Sequence, residues 1–199
     1  MPGKLTVFGN SQSGNCLKVS YTADLLGIPF DWVEVDSMRG ETRRPAFLAR
    51  NPAGQVPAVE LPDGRMLAQS NAIVLYLAEG SRLVPRDPYH RAKMMEWLFW
   101  EQYSHEPTIA VCRSDILFRG RTVETRDPQK VAGGEAALAL MEQALASRDY
   151  LLGDALTAAD ICLIAYTRVA GEGGFDLAPH PALRAWIARM EAELGLTAG

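Results

Sequence analysis

The chain is 199 residues long, enough for one large domain or two small ones. Hydrophobic residues make up 48% and charged residues 22%, a globular balance that excludes a disordered or fibrous chain. With 24 acidic and 20 basic residues the formal net charge is -4, which offers no general attraction to phosphate backbones or anionic lipid and argues against nucleic-acid and membrane partners.

Leu5–Phe8 and Phe30–Val35 are rich in β-branched and aromatic residues and are predicted strands. Between them Asn15–Leu26 has helical spacing and stops at Gly27, a capping glycine. This β-α-β unit favours parallel pairing with a right-handed crossover. A short helix is predicted near Arg44–Ala49. Val56–Leu61, the turn Pro62-Asp63-Gly64-Arg65 and Met66–Gln69 read as two strands joined by a hairpin. Ser70 is expected to cap a helix running to about Ala78, its hydroxyl over the first free N–H groups. The order is βαβ, α, ββα, an α/β domain with a mixed sheet.

Gly80–Pro88 has linker composition, so the domains are expected at 1–79 and 89–199, joined by 80–88. Tyr89–Phe118 carries apolar positions at helical spacing, and Pro107 is expected to kink or break it. Gln129–Ala146 is rich in strong helix formers. Thr157-Ala158-Ala159-Asp160 approximates a capping box opening a helix to Ala170, and Pro181–Leu194 is a final amphipathic helix. The second domain is expected to be all-α.

Cys16, Cys112 and Cys162 are widely spaced, with no CxxC pair, and His90, His105 and His180 lie far apart, so neither a metal site nor a disulfide framework is expected. No basic start followed by a long apolar stretch is present and the apolar runs are short, so neither a signal peptide nor a membrane span is expected. A reducing, cytoplasmic setting follows.

The chemistry concentrates in Asn51-Pro52-Ala53-Gly54-Gln55-Val56-Pro57-Ala58-Val59 and in Gln69-Ser70-Asn71-Ala72-Ile73. A proline heading into a strand cannot donate a ladder bond and suits a cis turn. A cis Pro57 would leave the Val56 backbone able to pair with an extended ligand, while the helix start at Ser70 suits an anion. Either motif alone reads more readily as a structural turn or a helix cap.

Together and in this order they resemble the glutathione transferase family. The resemblance covers nearly the whole chain and includes the helix opening Leu156-Thr157-Ala158-Ala159-Asp160-Ile161. Ser13-Gly14-Asn15-Cys16-Leu17-Lys18-Val19 resembles a bacterial branch of theta-like, serine-type members. The resemblance implies a thioredoxin-like N-terminal domain, an all-α C-terminal domain and a homodimer. It implies that Val56, at its turn with Pro57, holds the cysteinyl part of glutathione. Gln69 and Ser70 would take the γ-glutamyl group, with Gln69 standing where many members carry Glu. Gln55 and the segment Thr42, Arg43, Arg44 would meet the glycyl end.

A free thiol with a pKa near 8.5 is roughly 3% thiolate at pH 7. Lowering that pKa by two units takes about 2.7 kcal/mol of preferential thiolate stabilisation. Hydroxyl and helix-start N–H donors supply a share of it, and Asn10–Cys16 lies where such donors converge. Ser13 falls on the serine-type catalytic position of the family, with Ser11 and Asn15 as rivals. Cys16 is a fourth candidate, because some bacterial relatives form mixed disulfides at a nearby cysteine; its alternative is an inert packing role. Cys112 and Cys162 are expected as small buried hydrophobes.

The second substrate would then lie beside the sulfur, with Trp97, Trp100, Tyr103, His105 and Arg113 as candidates for its wall; an aromatic stripe at this spacing also reads as core. The leading expectation is conjugation of the glutathione thiolate to a small hydrophobic electrophile, with glutathione as co-substrate, no resident cofactor and no metal. The alternatives are a glutathione-dependent disulfide or peroxide reductase and a non-catalytic interaction module.

Overall fold

The computed structural model describes residues 3–197. The chain divides into two compact units, the first ending at Ser81 and the second beginning at Arg82. The expected linker, residues 80–88, spans this divide.

The first unit is a four-stranded mixed sheet in the order β2-β1-β3-β4. Strand β1 (Leu5–Gly9) leads into α1 (Gly14–Leu25) and returns as β2 (Phe30–Glu34), which pairs parallel to β1. Gly27 sits at φ 63, the left-handed conformation that glycine adopts without a Cβ penalty just past a helix end. A 3-10 turn (Glu41–Arg43) and the short α2 (Pro45–Leu48) follow. Strand β3 (Ala58–Glu60) then pairs antiparallel to β1, β4 (Met66–Ala68) pairs antiparallel to β3, and α3 (Ser70–Ala78) closes the unit.

Alternation along the strands sorts the core into two faces. Leu5, Val7, Val59 and Leu61 join Val19 and Ala23 of α1 and Ile73 and Leu77 of α3. Phe8 and Ala58 turn to the other face, against Val35 and Phe47. Fully burying each large apolar side chain contributes about 1.5–3 kcal/mol.

The second unit is helical. Helix α4 (Pro88–Trp100) passes through a π-helical turn (Glu101–His105) into α5 (Glu106–Phe118). Pro107 therefore widens the helix instead of ending it. Its ring has no N–H for the carbonyl four residues back and crowds that carbonyl, so one extra residue is accommodated there. The Thr108 hydroxyl lies 2.9 Å from the Ser104 carbonyl and 2.8 Å from that of His105, giving these carbonyls a donor. Helices α6 (Pro128–Leu145), α7 (Ala158–Thr167) and α8 (Pro181–Glu193) complete the unit.

All residues of α7 are buried, which makes it the centre of the helical unit. Its first turn carries Asp160, with no exposed surface, whose Oδ2 accepts from the Thr157 N–H and hydroxyl, each at 2.9 Å. Oδ1 accepts from the Leu151 N–H at 2.9 Å and from Trp186 Nε1 at 3.0 Å. One carboxylate thus ties α7 to the preceding loop and to α8.

Candidate functional site

Strand register decides what meets what. Phe8 pairs with Ala58, and Ala58 with Ala68. The residues just beyond these pairs, Asn10–Ser13 after β1, Val56–Pro57 before β3 and Gln69–Ser70 after β4, therefore emerge together at one end of the sheet. Segments distant in sequence become neighbours because the strands carrying them are adjacent.

The Val56–Pro57 peptide bond is cis. Pro57 is buried and Val56 half-buried. The loop before them is held by Asn51, whose Nδ2 donates to the Gln55 carbonyl at 2.7 Å and whose Oδ1 accepts from the Ala53 N–H at 3.2 Å. Gly54 sits at φ 62, and a Cβ there would lie 2.6 Å from Arg43 Nη1. The left-handed conformation is what calls for glycine here, since the nearest atom is the tip of a flexible side chain that can shift. Arg43 also donates to the Ala53 carbonyl at 3.3 Å, which joins the 42–43 segment to this turn. Thr42 is buried, Gln55 is exposed, and Arg44 is paired with Glu41 at 3.1 Å.

At the start of α3 the structure corrects the expected cap. Gln69, not Ser70, occupies the N-cap position, and no side-chain capping bond forms. Ser70 is already helical, and its hydroxyl donates to Asn15 Oδ1 at 3.2 Å, across to α1. A hydroxyl one residue inside the helix is past the point where it can fold back over the first N–H groups. Gln69 has φ 69 and ψ 111, a conformation that a residue with a Cβ avoids, at a cost of order 1–3 kcal/mol.

In the β1–α1 loop, Asn10 Oδ1 accepts from the Gln12 N–H at 2.9 Å, and the Ser13 N–H donates to the Asn10 carbonyl at 3.0 Å. Ser11 donates from both its N–H and its hydroxyl to Glu34 Oε1, at 3.0 and 3.3 Å. Ser13 is the N-cap residue of α1, half-buried, and its hydroxyl makes no capping bond. Cys16 has no exposed surface and accepts a bond from the Asn10 N–H at 3.3 Å. Burial pushes its thiol pKa up, outweighing the hydrogen bonds from Asn10 and Ser13 that favour the thiolate.

Lys18, Asn71 and Glu34 also belong to this end of the sheet, and sequence reasoning missed them as site residues. Lys18 is wholly buried and donates to Asn15 Oδ1 at 2.7 Å and to Asn71 Oδ1 at 3.2 Å. The available signal was helical spacing: Lys18 lies three residues after Asn15 and four before Thr22 on an otherwise inward face.

In the helical unit, Trp97 and Trp100 meet edge to face at 5.2 Å and line a cleft of about 370 Å³ with Glu96, Leu140, Gln143 and Ala144. Of the other three residues of the expected wall, one stays beside this pair: the His105 ring lies 5.9 Å from that of Trp100. Tyr103 is 88% exposed. His105 is fully buried, its Nε2 lying 2.9 Å from the Thr167 hydroxyl. Arg113 is paired with Glu172 at 2.6 Å. Among the described residues no group of three or more acidic, histidine or cysteine side chains is placed to hold a metal ion. No described helix is long and apolar enough to cross a membrane.

Comparison with known proteins places this geometry. The model of the glutathione S-transferase N-terminal domain matches residues 12–79, and that of the C-terminal domain matches residues 128–189. A maleylacetoacetate isomerase from Rhizobium meliloti (strain 1021) is 31% identical over 194 residues, covering 92% of this chain and 89% of its own. The crystal structure of a glutathione S-transferase from Pseudomonas fluorescens Pf-5 is 45% identical, covers 94% of both chains and superposes with a TM-score of 0.91. One from Xanthobacter autotrophicus Py2 is 44% identical, covers 94% of this chain and 93% of its own, and has a TM-score of 0.90. With its cis Val56–Pro57 turn, strained Gln69 and thioredoxin-like sheet followed by a helical unit, the chain belongs to the glutathione S-transferase family.

Proposed function

We propose that the protein conjugates glutathione to a small hydrophobic electrophile. The observation that carries the reading is the meeting, at one sheet end, of a backbone able to pair with an extended peptide, a helix start suited to a carboxylate, and hydroxyl and amide donors. Neither the N–H nor the carbonyl of Val56 has a backbone partner among the described residues, which suits it to the cysteinyl unit. The Ser70 N–H and the other N-terminal N–H groups of α3 take the γ-glutamyl carboxylate, and the Gln69 amide oxygen accepts from the ammonium. Gln55, Thr42, Arg43 and Arg44 face the glycyl end. Ser13 turns its hydroxyl from the Cys16 thiol to the glutathione sulfur and holds it as thiolate; positioning and charge stabilisation do the rest.

On the helical unit, the Trp97–Trp100 cleft has the apolar character that such an electrophile needs. The reading implies a homodimer in a reducing cytoplasm, and all three cysteines are buried and outside any disulfide. A reductase working through Cys16 is disfavoured by the burial of that thiol.

The relative named as an isomerase supports a second reading on the same residues. A thiolate that adds to a conjugated double bond and is later expelled isomerises the substrate and leaves glutathione unconsumed. The test is conjugation to an aryl halide beside isomerisation of a cis-unsaturated diketo acid, each with the wild type and S13A. Product formation with glutathione consumption, lost in S13A, is the expected result; isomerisation alone would select the second reading. Full activity of S13A would remove Ser13 from the mechanism.

A further inference from the structure

Lys18 is the unusual residue of the first unit. It lies on α1 between Asn15 and Thr22 with no exposed surface. An ammonium taken out of water costs several kcal/mol unless its protons are received. Asn15 Oδ1 at 2.7 Å and Asn71 Oδ1 at 3.2 Å receive two of them. This chemistry fixes both amides, because an ammonium only donates and the amide atom facing it must be the oxygen. Asn15 Oδ1 accepts a second time, from the Ser70 hydroxyl at 3.2 Å. The first turn of α1, beside Ser13, is thereby tied to the first turn of α3.

We infer that Lys18 is a positioning residue for the thiolate. By holding the Asn15 oxygen, which also accepts from the Ser70 hydroxyl, it fixes the first turn of α1 against α3 and with it the placement of Ser13, the N-cap residue of α1. The same bonds link the sulfur end of the site to Ser70 at the γ-glutamyl end. This rests on the proposed function and adds a residue that touches no substrate atom.

The test uses the full chain and the variant K18M, which keeps the side-chain length and removes every donor. The bound thiol is titrated with pH by the ultraviolet absorbance of the thiolate, and affinities for glutathione and S-methylglutathione are measured by calorimetry. In K18M the titration midpoint rises by about one unit and kcat falls roughly tenfold, as expected of a misplaced donor. The affinity for S-methylglutathione, which has no thiol to ionise, stays within about threefold. An unmoved midpoint, or an equal loss for both ligands, overturns the assignment and leaves Lys18 a purely structural residue. Should K18M not fold, K18Q is read in the same way, since its amide ends one bond short of both acceptors. A wild type that leaves the bound thiol pKa at its ordinary value refutes the proposed function, and the role of Lys18 with it. A wild type that lowers the pKa beside an unchanged K18M refutes the Lys18 inference alone.

Discussion

The N–H and the hydroxyl of Ser11 both donate to Glu34 Oε1, at 3.0 and 3.3 Å, while Glu34 Oε2 accepts from Trp32 Nε1 at 2.7 Å. The end of β2 therefore clamps the loop that carries the sulfur-side donors. The hydroxyl of Ser11 is engaged in that clamp.

If the clamp positions the loop, E34A lowers kcat/KM for glutathione conjugation by roughly tenfold. E34Q retains an oxygen for Ser11 and recovers most of that loss, although its amide N–H2 cannot receive the Trp32 indole proton. Equal defects in the two variants would show that Glu34 acts through its charge.

Gln69 holds a backbone conformation that glycine adopts freely. Q69G relieves that strain and raises the unfolding free energy by about 1 kcal/mol, while removing the acceptor for the glutathione ammonium. Chemical denaturation and calorimetry should show higher stability with affinity reduced by roughly tenfold. A variant that gains stability without losing affinity would clear Gln69 of any part in binding.

Asp160 receives four donors and has no exposed surface. D160A leaves the Trp186 indole and the Leu151 N–H buried without an acceptor and destabilises the helical unit by about 3–5 kcal/mol. Urea unfolding followed by tryptophan fluorescence measures it; a loss below about 1 kcal/mol would mean that water or a neighbour replaces the carboxylate.

The Cys16 thiol has a raised pKa because burial penalises its charged form. A group whose folded pKa lies above its unfolded value contributes stability below the unfolded pKa and loses it as pH rises through the folded one. The native chain should resist thiol reagents at about pH 8 and lose stability on the alkaline side of the unfolded thiol pKa, near 8.5. C16A should show a weaker alkaline loss. Rapid labelling of Cys16 in the native chain would revive the reductase alternative.

Much of the molecule is legible along the chain. The β-branched runs of β1 and β2, the glycine after α1 and the helix formers of α6 are local signals, because propensity and periodicity act over a few residues. The capping box at Thr157 and Asp160 is equally local, closing within one helical turn. The π-helical turn is half-legible: Pro107 forbids a regular helix, but whether the chain breaks or widens depends on Thr108 and on the helices packed around it. That choice bears on the candidate pocket wall: His105 keeps its ring 5.9 Å from that of Trp100, while Tyr103 is exposed and Arg113 is paired with Glu172.

The sequence by itself determined the two-part architecture, the positions of the turns and helix starts, and the family motifs, all of which depend on neighbours in the chain. Only the tertiary structure decided how those motifs bond to one another. The Ser70 hydroxyl bonds across to Asn15 instead of capping its own helix, Ser11 is occupied by Glu34, and Lys18 is buried where spacing alone leaves its surroundings open. Each of these outcomes depends on which strands lie side by side and in what register, and hydrogen bonds between residues more than fifty positions apart have no local signature.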